Sequence, residues 1–419
     1  MSTPDPSRPR RDAIRRFLAE RRDEQTRFLA ELVRTPSDNP PGDCAGAADI
    51  AAGLLERLGF AVERHPVPAE AARANGMVSA TNLIVRERFG AASGPTVALN
   101  AHGDVVPPGE GWTTDPYGAE IRDGWMYGRG VAVSKSDFAT YAYALLALKQ
   151  AGDAGAALNG AVELHFTYDE EAGGEIGPRR LIEEGLTRPD LAIGAGFSYG
   201  ITTAHNGCLH LEVEITGKSA HAARPDTGHD ALEAATAVLA DLYESRREFA
   251  AIRSSVPGIE HPTLVVGLIS GGINTNVVPD RIAFRLDRRM IPEERPAEVE
   301  RALTEQIERR AAAFPGIRCQ VRRILLAEPL TPLPGHERLV DAIRRNAETV
   351  FGETIAAHGV PLYTDARHYA AAGVPTVLYG AGPRSLLDAN AHRADERLFL
   401  DDLHKATEVV ALALAELMG

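Results

Sequence analysis

The segment Thr96-Val97-Ala98-Leu99-Asn100-Ala101-His102-Gly103-Asp104 joins a run of apolar residues directly to an imidazole and a carboxylate. A short apolar run rich in aliphatic side chains predicts a buried strand. In open α/β sheets, ligands bind at the carboxyl ends of the strands. We therefore expect His102 and Asp104 to lie at the ligand-binding edge of a sheet.

Strand and helix patterns alternate on both sides of this segment. Strands are predicted at 81–85 and 161–166, and helices at 45–58 and 138–148. This alternation is typical of a sheet covered by helices. The predicted fold class is α/β, with a mostly parallel-sheet sandwich as the main domain.

The pattern changes near Asn206 and predicts an inserted domain. Residues 209–215 alternate apolar and polar side chains, as in an antiparallel strand with one solvated face. We predict a flexible tail at 1–12, a main domain at 13–205 and 325–419, and an inserted α+β domain at 206–324.

Composition excludes several classes of function. The 419 residues carry a formal net charge of −13, and no long basic run offers a nucleic-acid surface. No apolar stretch is long enough to suggest membrane attachment. The three cysteines are far apart in the chain, which argues against a disulfide framework and favours a cytoplasmic location.

Two more predicted strand ends carry ionisable side chains. Asp169, Glu170 and Glu171 follow the strand at 161–166, and His392 follows the predicted strand at 376–379. Adjacent carboxylates raise one another's pKa unless a cation or proton lies between them. Three such strand ends together indicate one active site.

Eight motifs, in this order, resemble peptidase family M20, the group of acetylornithine deacetylase, succinyl-diaminopimelate desuccinylase, aminoacylase and carboxypeptidase G. The resemblance extends from about residue 13 to the end of the sequence. It implies a two-zinc amidohydrolase whose inserted domain is a lid that also forms a homodimer. The motifs are HGDVVP at 102–107, YGRG at 127–130, DEEAGG at 169–174, GKSAHAARP at 217–225, GGINTNVVPD at 271–280, DRRMIPEE at 287–294, YTDARHY at 363–369 and NAHRADE at 390–396.

The resemblance implies roles for five residues of the main domain. His102 resembles the ligand of the first zinc, with Asp104 as the group that orients it. Glu171 and His392 resemble ligands of the second zinc. Glu170 matches the general base that takes a proton from the metal-bound water.

Three residues of the inserted domain match substrate-binding groups of the family. His221 matches the group that reaches the scissile carbonyl oxygen, often across the dimer. Asn276 and Arg289 resemble the polar groups that hold the substrate. The guanidinium fork of arginine suits a carboxylate, so the resemblance implies a small carboxylate-bearing substrate.

Two expected metal ligands are missing. The family has a bridging aspartate where this chain has Val133, and an acidic residue where it has Gly196. The first zinc would keep only His102, and the second only Glu171 and His392, whereas zinc usually has three or four protein ligands. We therefore do not expect dinuclear zinc.

Three hypotheses follow for the site. In the first, His102, Glu171 and His392 share one divalent ion, expected to be zinc, and Glu170 acts as the base in cleaving an amide or related C–N bond of an N-acyl amino acid-like substrate. In the second, no metal binds, and the same residues form an acid/base cluster for a hydrolase or C–N lyase. In the third, the chain is a non-catalytic small-molecule-binding relative.

Four other residues could be either functional or structural. Asp137 either replaces the missing carboxylate or begins a helix. Ser198 lies in a GxSxG pattern, but that motif requires a helix after the serine, and an extended segment is predicted there. Cys208 is interpreted as a small buried residue, and His210 as a surface or packed histidine.

Overall fold

The computed structural model describes residues 8–419. The helices are α1 (Arg8–Glu20), α2 (Arg22–Val33), α3 (Ala45–Arg57), α4 (Ala69–Ala74), α5 (Lys135–Asp153), α6 (Pro178–Glu183), α7 (Ala231–Phe249), α8 (Pro296–Ala311), α9 (His336–Phe351), α10 (Ala366–Ala371) and α11 (Leu400–Leu417). The strands are β1 (Val62–Pro66), β2 (Thr81–Phe89), β3 (Thr96–His102), β4 (Glu120–Arg122), β5 (Trp125–Tyr127), β6 (Gly160–Thr167), β7 (Leu191–Gly194), β8 (Gly200–His205), β9 (Gly207–Thr216), β10 (Thr263–Gly271), β11 (Arg281–Met290), β12 (Arg318–Ala327), β13 (Ala356–Val360), β14 (Thr376–Leu378) and β15 (Arg397–Phe399).

The first helix corrects part of the predicted tail. Residues 1–7 lie outside the described residues, but residues 8–12 belong to α1. Proline is tolerated in the first turn of a helix, where Pro9 lies. Ile14 and Leu18, one turn apart, are buried and hold the helix against its neighbours.

The larger sheet has eight strands in the order β1-β2-β6-β3-β7-β14-β8-β13. The central neighbours β6, β3, β7 and β14 run parallel, while the β1–β2, β2–β6 and β14–β8 pairs are antiparallel. The mostly parallel α/β class is therefore confirmed. Because β3 and β6 are parallel, with His102 paired to Thr167, the segments after both strands begin at the same edge of the sheet.

The chain divides into two compact units. The larger unit comprises the residues up to 203, 332–358 and 364–419, and the smaller unit comprises 204–331 and 359–363. The predicted end of the insertion at 324 falls inside β12, whose hydrogen bonds to β9 keep this strand in the smaller unit.

The smaller unit has a four-stranded antiparallel sheet in the order β10-β11-β9-β12. Leu209, Leu211, Val213 and Ile215 alternate along β9 and are buried in a core shared with α7 and α8. The intervening residues of β9 face the opposite side of the sheet. Within the described residues, no helix has the length and apolar character needed to span a membrane.

Candidate active site

His102 ends β3 and is fixed by Ser134. The Ser134 hydroxyl accepts a hydrogen bond from the His102 amide at 3.0 Å and donates one to the His102 carbonyl oxygen at 2.9 Å. The ring Nδ1 lies 3.0 Å from the carbonyl oxygen of Asp104. The other ring nitrogen, Nε2, lies 3.9 Å from Glu170 Oε2. The histidine is therefore held in one orientation with Nε2 toward the paired glutamates.

Asp104 is fully buried and organises the turn that carries the glutamates. Its Oδ1 accepts a hydrogen bond from the Glu170 amide at 3.2 Å, and its Oδ2 accepts one from the Glu171 amide at 3.1 Å. Asn39 Nδ2 donates to the same Oδ2 at 2.9 Å. The carboxylate lies under the backbone of residues 170–171, so it orients residues from two strand ends.

His102, Glu170 and Glu171 bring their ligand atoms within 4.8 Å of one another. Burial raises the pKa of Glu170 to about 8; the His102 charge opposes this rise, and the Glu171 and Asp104 charges add to it. The pKa of His102 is raised well above its ordinary value, because the neighbouring carboxylates outweigh its burial. The three groups are electrostatically suited to share a proton or to bind a cation.

The motif at 363–369 contributes residues to the site that the sequence did not single out. Arg367 Nη2 donates a hydrogen bond to the carbonyl oxygen of Gly173, and His368 Nε2 lies 3.1 Å from the same oxygen. These contacts hold the end of the short turn Glu170–Ala172. Asp365 is also buried, with a raised pKa caused by burial and by the charge of Glu170. In the sequence, Asp365, Arg367 and His368 stand out only as members of the motif at 363–369.

His392 lies beside the cluster but does not belong to the group of converging ligand atoms. Its Nε2 is 3.4 Å from Glu171 Oε1, and its side chain is 51% exposed. The predicted set of His102, Glu171 and His392 thus differs from the observed group in one member, since Glu170 takes the place of His392. His392 has a φ of 60°, in the left-handed region.

A buried ion pair anchors the segment around His392. Arg129 Nη1 and Glu396 Oε2 are 2.5 Å apart, and both side chains are almost inaccessible to solvent. Glu396 Oε1 also accepts a hydrogen bond from the Ala132 amide at 3.0 Å. The motifs at 127–130 and 390–396 are therefore joined structurally.

The two positions that lack acidic residues cannot ligate a metal. Val133 packs against the hydrophobic core. Gly196 lies so close to the next strand that an added Cβ atom would be 2.6 Å from the Tyr379 amide nitrogen. Neither residue offers a ligand atom, and no larger side chain fits at position 196 without movement of β14.

Asp137 does not replace the missing ligand. Its Oδ1 accepts a hydrogen bond from the Ala381 amide at 2.7 Å, and its carboxylate also accepts one from the Gly196 amide. Burial raises the pKa of Asp137 to about 7. This carboxylate binds the backbone around Gly196 instead of joining the group at His102.

Ser198 lacks the surroundings of a nucleophile. Its hydroxyl donates a hydrogen bond to the Gly380 carbonyl oxygen at 3.0 Å, and its side chain is buried. The segment after it is the strand β8, as expected, so the helix required by a nucleophilic elbow is not formed.

Two of the three substrate-binding candidates come together within the smaller unit. The backbone at His221 bridges to Val277, and the Ala222 amide donates to the Asn276 carbonyl oxygen at 3.0 Å. Both His221 and Asn276 are exposed. Arg289 lies on β11, where its Nε donates to Asp287 Oδ1 at 3.0 Å and its guanidinium is 5.6 Å from the Tyr363 ring centroid.

The chain belongs to the peptidase family M20/M25/M40, whose model matches residues 98–416. It is an M20-family hydrolase of the kind that acts on amide bonds. It is 27% identical to the succinyl-diaminopimelate desuccinylase of Gluconacetobacter diazotrophicus, with 93% of this chain and 96% of that protein covered. It is 28% identical to the acetylornithine deacetylase of Myxococcus xanthus, with 88% and 92% covered.

A solved structure shares the fold. The YXEP protein of Bacillus subtilis, described as a dinuclear metal-binding peptidase of family M20, superposes with a TM-score of 0.67 at 17% identity, covering 96% of this chain and 99% of that one. Positions 133 and 196 of this chain, a valine and a glycine, carry no side-chain ligand atoms. His102, Glu170 and Glu171 bring one nitrogen and two carboxylates into a compact group, which is the kind of donor set that a metal ion binds.

Proposed function

We propose that this protein hydrolyses an amide or related C–N bond in a small, carboxylate-bearing, N-acyl amino acid-like substrate, with at most one metal ion and Glu170 as general base. The observation that carries the proposal is the convergence of His102, Glu170 and Glu171 above the buried carboxylate of Asp104. A buried acid/base group of this kind is typical of catalytic sites.

His102, Glu171 and His392 would hold the ion, since His392 Nε2 lies 3.4 Å from Glu171 Oε1, and Glu170 would act as the base. Zinc is the expected ion, because one imidazole and carboxylate oxygens are suitable ligands. When bound, it supplies a Lewis acid that polarises the substrate carbonyl.

Glu170 moves the proton. Once ionised, it accepts a proton from the attacking water and then donates it to the leaving nitrogen as the C–N bond breaks. Its pKa of about 8, raised by burial, makes it a stronger base than a solvated glutamate. Asp104 keeps Glu170 in place through the backbone amide, which reduces the reorganisation required during the reaction.

The smaller unit would bind the substrate. Arg289 would bind the substrate carboxylate through its guanidinium, and Asp287 and the Tyr363 ring fix that guanidinium. His221 would donate to the carbonyl oxygen of the scissile bond, and Asn276 would contribute a polar side chain beside it.

A metal-independent acid/base mechanism is the second candidate, and the missing acids at positions 133 and 196 favour it. Without a cation, the raised pKa of His102 keeps its ring protonated next to the glutamates. The imidazolium would then stabilise negative charge on the substrate oxygen, in hydrolysis or in elimination.

Metal analysis and one substitution test these mechanisms. Protein purified without chelator is analysed for metal and assayed on a panel of N-acyl amino acids before and after EDTA. About one zinc per chain and loss of turnover with EDTA support the main proposal, and two zinc ions per chain contradict it. Undiminished turnover without metal supports the second candidate, and ligand binding without any turnover would mean a non-catalytic relative.

Glu170→Gln should lower kcat by about 10²- to 10⁴-fold in either mechanism. The matched control is Glu183→Gln on α6, where the glutamate makes an exposed ion pair with Arg179. If Glu170→Gln retains the activity of the control, Glu170 is not the base.

We also propose that the protein is a cytoplasmic homodimer that pairs through β10. This strand is an edge of the four-stranded sheet, and it exposes Val265, Leu268 and Ile269 by 49%, 61% and 57%. An exposed apolar edge strand is a template for pairing with another chain. The separated cysteines are compatible with the reducing cytoplasm.

A further inference from the structure

The smaller unit contains a second cluster of ligand-type side chains, formed by Cys208, His210 and Asp287. Residues 208 and 210 are two apart on β9 and therefore project from the same face of the sheet. The antiparallel register places His210 opposite Asp287 on β11. Strand geometry thus brings a thiol, an imidazole and a carboxylate together on one face.

The three potential ligand atoms converge. Cys208 Sγ is 3.2 Å from His210 Nε2 and 3.6 Å from Asp287 Oδ2, and His210 Nε2 is 2.8 Å from Asp287 Oδ2. In a tetrahedral zinc site the ligand atoms lie roughly 3.4 to 3.6 Å apart, as follows from metal–ligand distances of about 2.0 to 2.3 Å. The nitrogen–oxygen pair would have to open by roughly half an ångström and the sulfur–nitrogen pair by roughly 0.2 to 0.4 Å, whereas the sulfur–oxygen pair already has a suitable distance.

We propose that Cys208, His210 and Asp287 bind one soft divalent transition-metal ion, such as zinc, at a site separate from the His102 group. A thiolate and an imidazole select zinc-like ions over magnesium or calcium. The Cys208 thiol releases its proton to solvent when the ion binds. One carboxylate, one thiolate and a neutral imidazole give the ion two compensating charges.

Arg289 is hydrogen-bonded to Asp287 but is not itself a proposed ligand of the ion. Its Nε contacts Asp287 Oδ1 at 3.0 Å and Oδ2 at 3.2 Å. An ionised carboxylate has about four acceptor positions, so Asp287 can bond both the guanidinium and an ion. Such an outer contact orients a carboxylate ligand.

The cluster is open to solvent on one side. The side chains of His210 and Asp287 remain 33% and 29% exposed, whereas Cys208 is buried. An ion can enter from the exposed side, and a water molecule completes the fourth position. This arrangement of three protein ligands and one open position is typical of a reactive rather than a purely structural zinc site.

Cobalt binding to the full chain tests the proposal, because a thiolate ligand gives Co²⁺ a near-ultraviolet charge-transfer band. We expect this band to rise to one equivalent of Co²⁺ and to disappear on addition of Zn²⁺. Cys208→Ser should abolish the band, and His210→Gln should weaken Co²⁺ binding by at least about tenfold. The control Cys319→Ser, which changes the half-buried cysteine of β12, should leave the band unchanged.

Absence of the band in the unmodified protein would refute the proposal without requiring any variant to fold. An equal band in Cys208→Ser would also refute it. Glu170→Gln should retain the band, since the His102 group contains no sulfur ligand. The cobalt-binding result therefore does not depend on whether the proposed hydrolytic activity is correct.

Discussion

His102 and Asp104 are joined through both the backbone and the side chain of the aspartate. The ring Nδ1 lies 3.0 Å from the Asp104 carbonyl oxygen and 3.4 Å from its carboxylate Oδ1. The same carboxylate accepts the amides of Glu170 and Glu171. A single buried aspartate therefore determines the positions of all three converging groups.

Asp104→Asn should lower kcat by about 10- to 100-fold and change KM much less, because it disturbs the orientation of the base and of His102 without removing a substrate contact. Steady-state kinetics on the best substrate of the panel measure this effect. The control is Asp190→Asn, since Asp190 accepts the Thr96 amide at 2.8 Å at the opposite end of β3. If kcat falls equally in Asp104→Asn and Asp190→Asn, Asp104 has only a structural role.

Gly196→Ala should destabilise the protein by about 1 to 3 kcal/mol, because the new methyl group would overlap the main chain of Tyr379. Gly53→Ala provides the contrast. Gly53 lies inside α3 with its nearest heavy atom 3.9 Å from an added Cβ, so alanine should stabilise the helix by about 0.5 to 1 kcal/mol. Differential scanning calorimetry measures the unfolding temperatures of the two variants. An unchanged unfolding temperature for Gly196→Ala would show that β14 can move to accommodate the methyl group at little cost in stability.

His404 should make the protein less stable in mild acid. Burial and the nearby charge of Arg22 lower the pKa of His404 from 6.5 to about 4, and its Nδ1 lies 3.1 Å from Gln25 Oε1. The unfolded chain binds a proton below pH 6.5 while the folded chain does not, so stability falls as the pH drops from about 6.5 to about 4. The expected loss is about 2 to 3 kcal/mol.

Unfolding midpoints of wild type and His404→Gln across this range measure the effect. The variant should show a shallower decline with falling pH. His229→Gln, at an exposed histidine of the smaller unit, should decline like wild type. Parallel curves for wild type and His404→Gln would contradict the assignment.

Leu268→Glu should convert the proposed dimer to a monomer, because it places a charge on the apolar edge strand β10. Sedimentation velocity measures the change. Ile121→Glu is the matched control, since Ile121 is 51% exposed on β4 of the larger unit. A dimer that persists in Leu268→Glu, or a monomeric wild type, would rule out pairing through β10.

Local sequence patterns predicted the elements that place the site. The apolar run from Thr96 became β3, and the run 161–166 became most of β6. Since parallel strands share an edge, His102 and the glutamates could be expected together from those runs alone. The helices at 45–58 and 138–148 likewise correspond to α3 and α5.

The position of His392 could not be predicted from the sequence. Asn390, His392 and Asp395 all adopt positive φ values, of 50°, 60° and 55°, which non-glycine residues rarely do. The neighbouring Glu396 pairs with Arg129, which lies in a distant part of the chain. Consequently the sequence could not show that Glu170, and not His392, completes the group.

The strand pairing in the smaller unit could not be predicted from the sequence either. Consecutive strand residues face opposite sides of a sheet, so Arg288 does not share the face of Asp287 and pairs with Glu294 at 2.5 Å. Cys208 was interpreted as a small buried residue and His210 as a surface or packed histidine. Their contact with Asp287 depends on the register between β9 and β11, which periodicity alone does not specify.

Contact between Gly196 and the main chain of Tyr379 limits the evolutionary routes open to this protein. One nucleotide change could convert the glycine codon to aspartate or glutamate, but the resulting side chain would enter space already filled by the adjacent strand. An acidic side chain at this position would therefore be tolerated only after further substitutions that move the neighbouring main chain.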